Sequence, residues 1–193
     1  MAPDTYELMP LSNSPYDANR LGDDIIEVFN KLHIVRPVLV GHSIAGEELT
    51  SVVSRYPDRV AGLVYLDGFF EYAFSDGQTY DALFTTQHPK RLTLLSGQYP
   101  KVDPGTAIHL GMHEYRQFPS VSTLAIFSFP QSGPVGASKA DFVLSQRARV
   151  DRIAPLLPTV HFVWLSDAAH EMWKSNEADV LRELNAFISV LPK

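Results

Sequence analysis

A short apolar run that leads into a serine between small residues most constrains how this chain can fold. Residues 37–41 read PVLVG, the next five read HSIAG, and a helix-like pattern follows at once. A buried strand that passes directly into a helix needs small residues where the two elements approach closely. At such a corner the side chain of Ser43 is forced outward, and the helix N-terminus behind it favours developing negative charge. The pattern therefore predicts a nucleophilic serine at residue 43.

The corner departs from a strict G-x-S-x-G pattern at one position. Ala45 stands where the second glycine is usual, and Gly46 follows it. Alanine adds a single methyl group, so a tight corner remains sterically possible. Five-residue motifs of this kind also occur in ordinary turns, but here a strand precedes the motif, a helix follows it, and a second apolar strand then ends at Asp67. This context favours a nucleophile over a structural turn.

Residues 37–68, read as one unit, resemble the nucleophile elbow of the α/β-hydrolase superfamily, in its esterase-like branch with a GHSxxG elbow. The resemblance implies an α/β fold in which a serine, a histidine and a carboxylate act together. The histidine and the carboxylate have to be sought at other strand ends, because active sites in parallel sheets lie at the carboxyl ends of the strands.

The periodicity of the apolar residues predicts one domain over residues 1–193, built from alternating helices and strands. The predicted helices cover residues 15–33, 44–56, 138–153 and 176–191, and the predicted strands cover residues 37–41, 60–66, 122–129 and 160–165. Single strands that alternate with helices indicate a mostly parallel sheet with helices on both faces. Residues 69–120 interrupt this rhythm with many aromatic side chains, and we interpret them as a cap or lid insertion.

His170 is the first choice for the base that removes the serine proton. It lies in a loop between the last predicted strand and the last predicted helix, where the resemblance implies a catalytic histidine. The alternative is a solvated loop histidine. His42, Phe69 and Phe70 are assigned to substrate binding, with the alternative that His42 packs beneath the loop.

The carboxylate that would orient His170 has three candidates. Most of the superfamily carries it after the strand that corresponds to residues 122–129, where this chain reads FPQSG without an acid. Asp67 ends the strand after the elbow helix, a position that a minority of the superfamily uses. Asp67 is therefore the first choice, Asp141 the second and Asp167 the third. A turn-capping role is the alternative for Asp67.

The oxyanion of the reaction needs two hydrogen-bond donors, and the sequence supplies one of them. The backbone N–H of Ile44 directly follows the serine, whereas the resemblance implies a second donor after an earlier strand. No strand is predicted before residue 37, so we expect the first strands of the fold to be missing from the chain. Residues 37–41 would then have an unpaired apolar edge, which predicts a homodimer or higher oligomer.

The composition is that of a globular domain, with 193 residues, 45% hydrophobic and 20% charged. The net charge of −6 is spread along the chain, so we expect no nucleic-acid partner. Because there is no cysteine to ligate a metal and the seven histidines form no H-E-x-x-H motif, we expect no metal and no cofactor. No apolar run approaches the length of a membrane span, and the compartment is not predicted.

Two functions are consistent with these features. The first is a serine hydrolase that cleaves small to medium apolar acyl or aryl esters through Ser43, His170 and Asp67. The second is a catalytically impaired remnant of the fold that acts as a binding or scaffold protein. A haloalkane dehalogenase is disfavoured because its nucleophile is a carboxylate. A cofactor-free haloperoxidase and a C–C bond hydrolase with the same triad stay open.

Overall fold

The computed structural model describes residues 18–43, 45–68, 120–129, 140, 144, 147–148, 150–151 and 154–192. Its helices are α1 (Ala18–Lys31), α2 (Ala45–Arg55), α3 (Met172–Ser175) and α4 (Glu177–Ser189). Its strands are β1 (Val38–His42), β2 (Gly62–Leu66), β3 (Thr123–Phe129) and β4 (Val160–Ser166). Single turns of 3-10 helix cover Pro57–Arg59 and Ala154–Leu156, and the described residues between 140 and 151 are helical.

The strands form one parallel sheet in the order β1-β2-β3-β4. Strand β2 is buried along its whole length because helices cover both faces of the sheet. Its side chains alternate between two cores: Leu63 and Tyr65 enter one, whereas Val64 and Leu66 enter the other. The predicted class, a mostly parallel sheet with helices on both faces, is confirmed.

Helices α1 and α2 cover one face of the sheet, and α3 and α4 cover the opposite face. On the first face, Leu49, Val52 and Val53 of α2 are almost completely buried against β2 and β3. On the second face, Met172 of α3 and Val180 of α4 pack against the other side of the same strands. Burial of these side chains from both directions fixes the sheet between the helices.

The C-terminal helical region differs from the prediction at its start. A single helix was expected over residues 176–191, but α3 precedes Asn176 and α4 begins after it. The backbone φ of Asn176 is −137°, outside the helical region, so the two helices are separate. The additional turn α3 brings Trp173 to the end of the sheet at which the predicted site residues lie.

The predicted cap or lid over residues 69–120 lies outside the described residues except for Ser120. No helix in the described ranges is both long and apolar enough to cross a membrane.

Candidate active site

Ser43 lies at the corner between β1 and α2 in a backbone conformation that side chains rarely adopt. Its φ is 55°, in the left-handed region that costs an L-residue roughly 1–2 kcal/mol. Two backbone hydrogen bonds anchor the corner: Ser43 N–H donates to the Leu66 carbonyl at 3.2 Å, and Gly46 N–H donates to the Ser43 carbonyl at 3.0 Å. A strained serine at a strand-to-helix corner is the geometry that presents a hydroxyl to a substrate.

Gly41 allows helix α2 to approach strand β1 closely at this corner. A Cβ atom on Gly41 would lie 2.9 Å from Leu49 Cδ1 and 3.1 Å from Ala45 Cβ. These distances are below ordinary van der Waals contact, so a larger residue at position 41 would require the side chain of Leu49 and the Cβ of Ala45 to shift. The close approach therefore depends on Gly41, while Ala45 fits where the motif usually has its second glycine.

Asp67 follows β2 directly and accepts hydrogen bonds from two other parts of the sheet. Ser128 of β3 donates its N–H to Asp67 Oδ1 at 3.1 Å and its hydroxyl to Asp67 Oδ2 at 2.7 Å. His170 Nδ1 lies 2.7 Å from Asp67 Oδ2. Because a carboxylate only accepts, Nδ1 carries the hydrogen, which makes Nε2 the ring nitrogen that can accept a proton.

Ser43 and Asp67 lie side by side at the carboxyl edge of the sheet. His42 and Leu66 are register partners in the parallel pairing of β1 with β2, and Ser43 N–H donates to the carbonyl of Leu66, the residue before Asp67, at 3.2 Å. Neighbouring strands are about 4.8 Å apart. The sheet therefore brings the predicted nucleophile next to the carboxylate that holds His170.

His42 is in contact with the loop that carries His170. The two imidazole rings have centroids 4.3 Å apart, and the edge of Trp173 meets the His42 ring at 4.4 Å. His42 Nε2 lies 3.0 Å from the His170 carbonyl oxygen. Burial and, second, the nearby charge of His170 lower the pKa of His42 below its ordinary value. A lowered pKa favours the neutral form of the His42 ring.

A cavity of about 640 Å³ lies elsewhere, next to the amino ends of the strands. It is lined in part by Arg36, Asp58 and Ser122, which precede or flank β1, β2 and β3. The cavity is thus at the opposite end of the sheet from Ser43. Among the described residues, no group of three or more His, Asp or Glu side chains is placed to hold a metal ion.

Solved structures of hydrolases match this arrangement over most of the chain. E-2-(acetamidomethylene)succinate hydrolase matches with a TM-score of 0.60 and 18% identity, over 94% of this chain and 77% of its own. An esterase from Exiguobacterium antarcticum matches with a TM-score of 0.59 and 17% identity, over 91% and 75%. The chain has the α/β-hydrolase fold.

A third match extends this result. A thermophilic esterase from Thermogutta terrifontis has a TM-score of 0.55 and 17% identity, over 93% of this chain and 75% of its own. No protein-family sequence model matches the chain, and comparison with curated protein sequences gives no match. At these identities the similarity establishes the α/β-hydrolase fold alone.

Ser128 is a site residue of this α/β-hydrolase fold that the sequence did not predict. It is buried near the end of β3 and donates two of the three hydrogen bonds described above for Asp67, one through its N–H and one through its hydroxyl. The signal available was a serine near the end of the otherwise apolar run AIFSF. A hydroxyl buried at such a position needs a hydrogen-bond partner, and that partner is the Asp67 carboxylate.

Of the other predicted site residues, the structure describes one and leaves four outside the described ranges. Ile44, Phe69, Phe70 and Asp141 lie outside the described residues. Asp167 lies in an exposed turn directly after β4, with a φ of 56°. Of the three candidate carboxylates, Asp67 is the one with a described hydrogen bond to His170.

Proposed function

We propose that this chain is a serine hydrolase that cleaves carboxylic esters of small to medium apolar acyl or aryl groups. The observation that carries the proposal is the 2.7 Å hydrogen bond between His170 Nδ1 and Asp67 Oδ2, beside a strained serine on the neighbouring strand. The α/β-hydrolase fold supports it, and two of the structural neighbours described above are named esterases. Ser43 is the nucleophile, His170 the base and Asp67 the carboxylate that orients it.

In the proposed reaction the Ser43 hydroxyl attacks the ester carbonyl carbon while His170 Nε2 accepts its proton. Asp67 stabilises the imidazolium that forms, and the proton then passes to the departing alcohol. The acyl group stays on Ser43 until a water, deprotonated by His170, releases it as the acid. The N–H of Ile44 and the N-terminus of α2 supply positive potential for the oxyanion.

The substrate class follows from the aromatic residues beside the proposed carboxylate. Phe69 and Phe70 come two and three positions after Asp67, and aromatic side chains are common in pockets that bind apolar groups. Phe69 and Phe70 are therefore the residues proposed to contact the acyl or aryl group.

Hydrolysis of p-nitrophenyl acetate, butyrate and octanoate by the 193-residue chain tests the proposal. Labelling with a serine-directed fluorophosphonate, located by peptide mass spectrometry, identifies the nucleophile. We expect hydrolysis of all three esters and a label on Ser43. A folded chain that neither hydrolyses the esters nor takes the label would favour a binding or scaffold function instead.

Replacing Ser128 with alanine is expected to lower kcat by about tenfold with KM nearly unchanged. The substitution removes the hydroxyl that donates to Asp67 Oδ2 and keeps the backbone N–H that donates to Oδ1. A hydrogen bond to a charged group contributes roughly 1.5–3 kcal/mol, of which part is retained by the remaining donor. Steady-state kinetics with p-nitrophenyl butyrate measure the effect. Ser128→Thr, which keeps the hydroxyl, should recover most of the rate, and an unchanged kcat in Ser128→Ala would contradict this role.

Strand β1 supports a second proposal, which is association with another copy of the chain. β1 is one of the two edge strands of the described sheet, and Val40 in its centre is 48% exposed. Apolar edge strands favour pairing with another chain. We therefore expect light scattering at micromolar concentration to give at least twice the 21.5 kDa mass of one chain.

A lysine at the centre of that edge is expected to separate the copies. Val40→Lys places a charge where a partner strand would pack, whereas Val190→Lys introduces the same charge at a residue that is 77% exposed near the C-terminus. Only Val40→Lys should lower the measured mass. A parent chain that is already a monodisperse monomer would contradict the proposal.

A further inference from the structure

His42 joins the strand that carries the proposed nucleophile to the loop that carries the proposed base. It is the last residue of β1 and is bonded directly to Ser43, while its Nε2 lies 3.0 Å from the His170 carbonyl oxygen. A carbonyl oxygen only accepts, so Nε2 carries the hydrogen and donates it. The contact is thus a hydrogen bond from a side chain to the main chain, between residues 128 positions apart in the sequence.

The topology of the sheet shows why such a contact matters. His170 follows β4, and Ser43 follows β1, with β2 and β3 between them. With strands about 4.8 Å apart, the two edge strands are separated by roughly 14 Å. The loop after β4 must therefore reach across the carboxyl edge of the sheet. Asp67 holds the ring of His170 at the end of β2, and His42 holds its backbone at the end of β1.

Ring contacts fix the orientation of the His42 donor. The ring of His42 is tilted by 49° against that of His170 and meets Trp173 of α3 edge-on at 85°. Aromatic contacts of this kind add to the stability of a packed arrangement. The imidazole is therefore held from two sides while its Nε2–H is directed at the His170 carbonyl.

The charges around His42 favour a single, neutral donor form. Burial is the largest effect on its pKa and lowers it, and the charge of His170 lowers it further. The hydrogen bond to the His170 carbonyl and the charges of Asp67 and Glu171 raise the pKa by smaller amounts, and Glu171 is paired with Lys174 at 2.9 Å. Since the neutral ring has one N–H, the carbonyl selects the tautomer.

We propose that His42 is a positioning residue whose Nε2–H bond to the His170 carbonyl holds the base over Ser43. It acts through His170 rather than on the substrate, and this role rests on the proposed hydrolase function. The bond keeps the loop after β4 at the far edge of the sheet, where His170 can reach the nucleophile.

Three substitutions at His42 distinguish the effect of its hydrogen bond from the effect of its aromatic ring. His42→Gln keeps an N–H near the position of Nε2, His42→Asn places its amide too far back, and His42→Phe keeps a ring without a donor. We expect His42→Asn and His42→Phe to lower kcat by about 2-fold to 12-fold, the effect of one hydrogen bond, with KM within about twofold of the parent. His42→Gln should retain most of the parent kcat. The control His161→Gln alters an exposed histidine on β4 and should leave kcat unchanged.

Kinetics and spectra together decide the inference. Parent-like kcat in both His42→Asn and His42→Phe, or an equal loss in His42→Gln, would overturn it. Side-chain proton–nitrogen correlation spectra of the parent at pH 7 should show His42 as the Nε2–H tautomer. This measurement requires neither catalytic activity nor a folded variant. Observation of His42 as the Nδ1–H tautomer would by itself overturn the inference. A parent that hydrolyses no ester would instead overturn the proposed hydrolase function, and the catalytic role of His42 with it.

Discussion

Replacing Ser43 with alanine is expected to lower kcat for p-nitrophenyl butyrate by about 10^4-fold to 10^6-fold, the range for loss of a nucleophile from a triad. Alanine keeps the Cβ and the backbone, so the strained corner with its φ of 55° can persist. The variant lacks the oxygen that forms the acyl-enzyme. His170 and Asp67 would remain hydrogen-bonded but would have no proton to accept from residue 43. Release of p-nitrophenolate under steady-state conditions measures the loss.

A second serine provides the matched control for this experiment. Ser189 lies at the exposed C-terminal end of α4, where its hydroxyl donates to the Ala186 carbonyl, far along the chain from the corner. Ser189→Ala should keep the parent rate and the fluorophosphonate label, and Ser43→Ala should lose both. Circular dichroism establishes that each variant is folded. Activity of Ser43→Ala within about tenfold of the parent would exclude Ser43 as the nucleophile.

Replacing Asp67 with asparagine is expected to lower kcat by about 10^3-fold to 10^4-fold, because His170 would then adopt a tautomer that cannot act as a base. Ser128 N–H donates to Oδ1, so the amide oxygen of asparagine should occupy that position and its NH2 group should face His170. That group donates to Nδ1, which places the ring hydrogen on Nε2. A His170 with a hydrogen on Nε2 cannot accept the Ser43 proton, although the fold is preserved.

The other two candidate acids serve as controls for Asp67. Asn tolerates the left-handed backbone that Asp67 and Asp167 both adopt, with φ of 45° and 56°, so neither substitution strains the chain. We expect Asp141→Asn and Asp167→Asn to retain kcat within about threefold, because neither acid is the one proposed to orient His170. If Asp67→Asn matches the parent while another of the variants loses activity, that other residue holds the carboxylate role.

The sequence predicted the sheet well because its strands are locally recognisable. Strand β2 begins at Gly62 and β3 at Thr123, each within two residues of the prediction, since both are continuous apolar runs between turn residues. Helix α3 was missed because four residues are too few to show a helical period. The short helix matters to the site, since it carries the Trp173 that contacts His42.

The sequence predicted three residues of the candidate site but not Ser128, for a related reason. Ser43 is marked by its own neighbours, and His170 and Asp67 by their positions after strands, so sequence context was sufficient to nominate all three. Ser128 lies within a strand that was predicted as a structural element only. Its partner Asp67 is 61 positions away in the sequence, and no local sequence pattern predicts a contact between residues so far apart.

The sequence by itself determined the alternation of strands and helices and the strained corner at Ser43, because each depends on residues within a few positions of one another. Tertiary structure alone decided which groups meet. The strand order joins Asp67 to His170 across 103 positions and His42 to the same loop across 128. Such contacts depend on which strands pair and in what register. A sequence pattern predicts which side chains of a strand face each side of the sheet, but not which strand lies beside it. The packing of the whole sheet between its helices determines that neighbour.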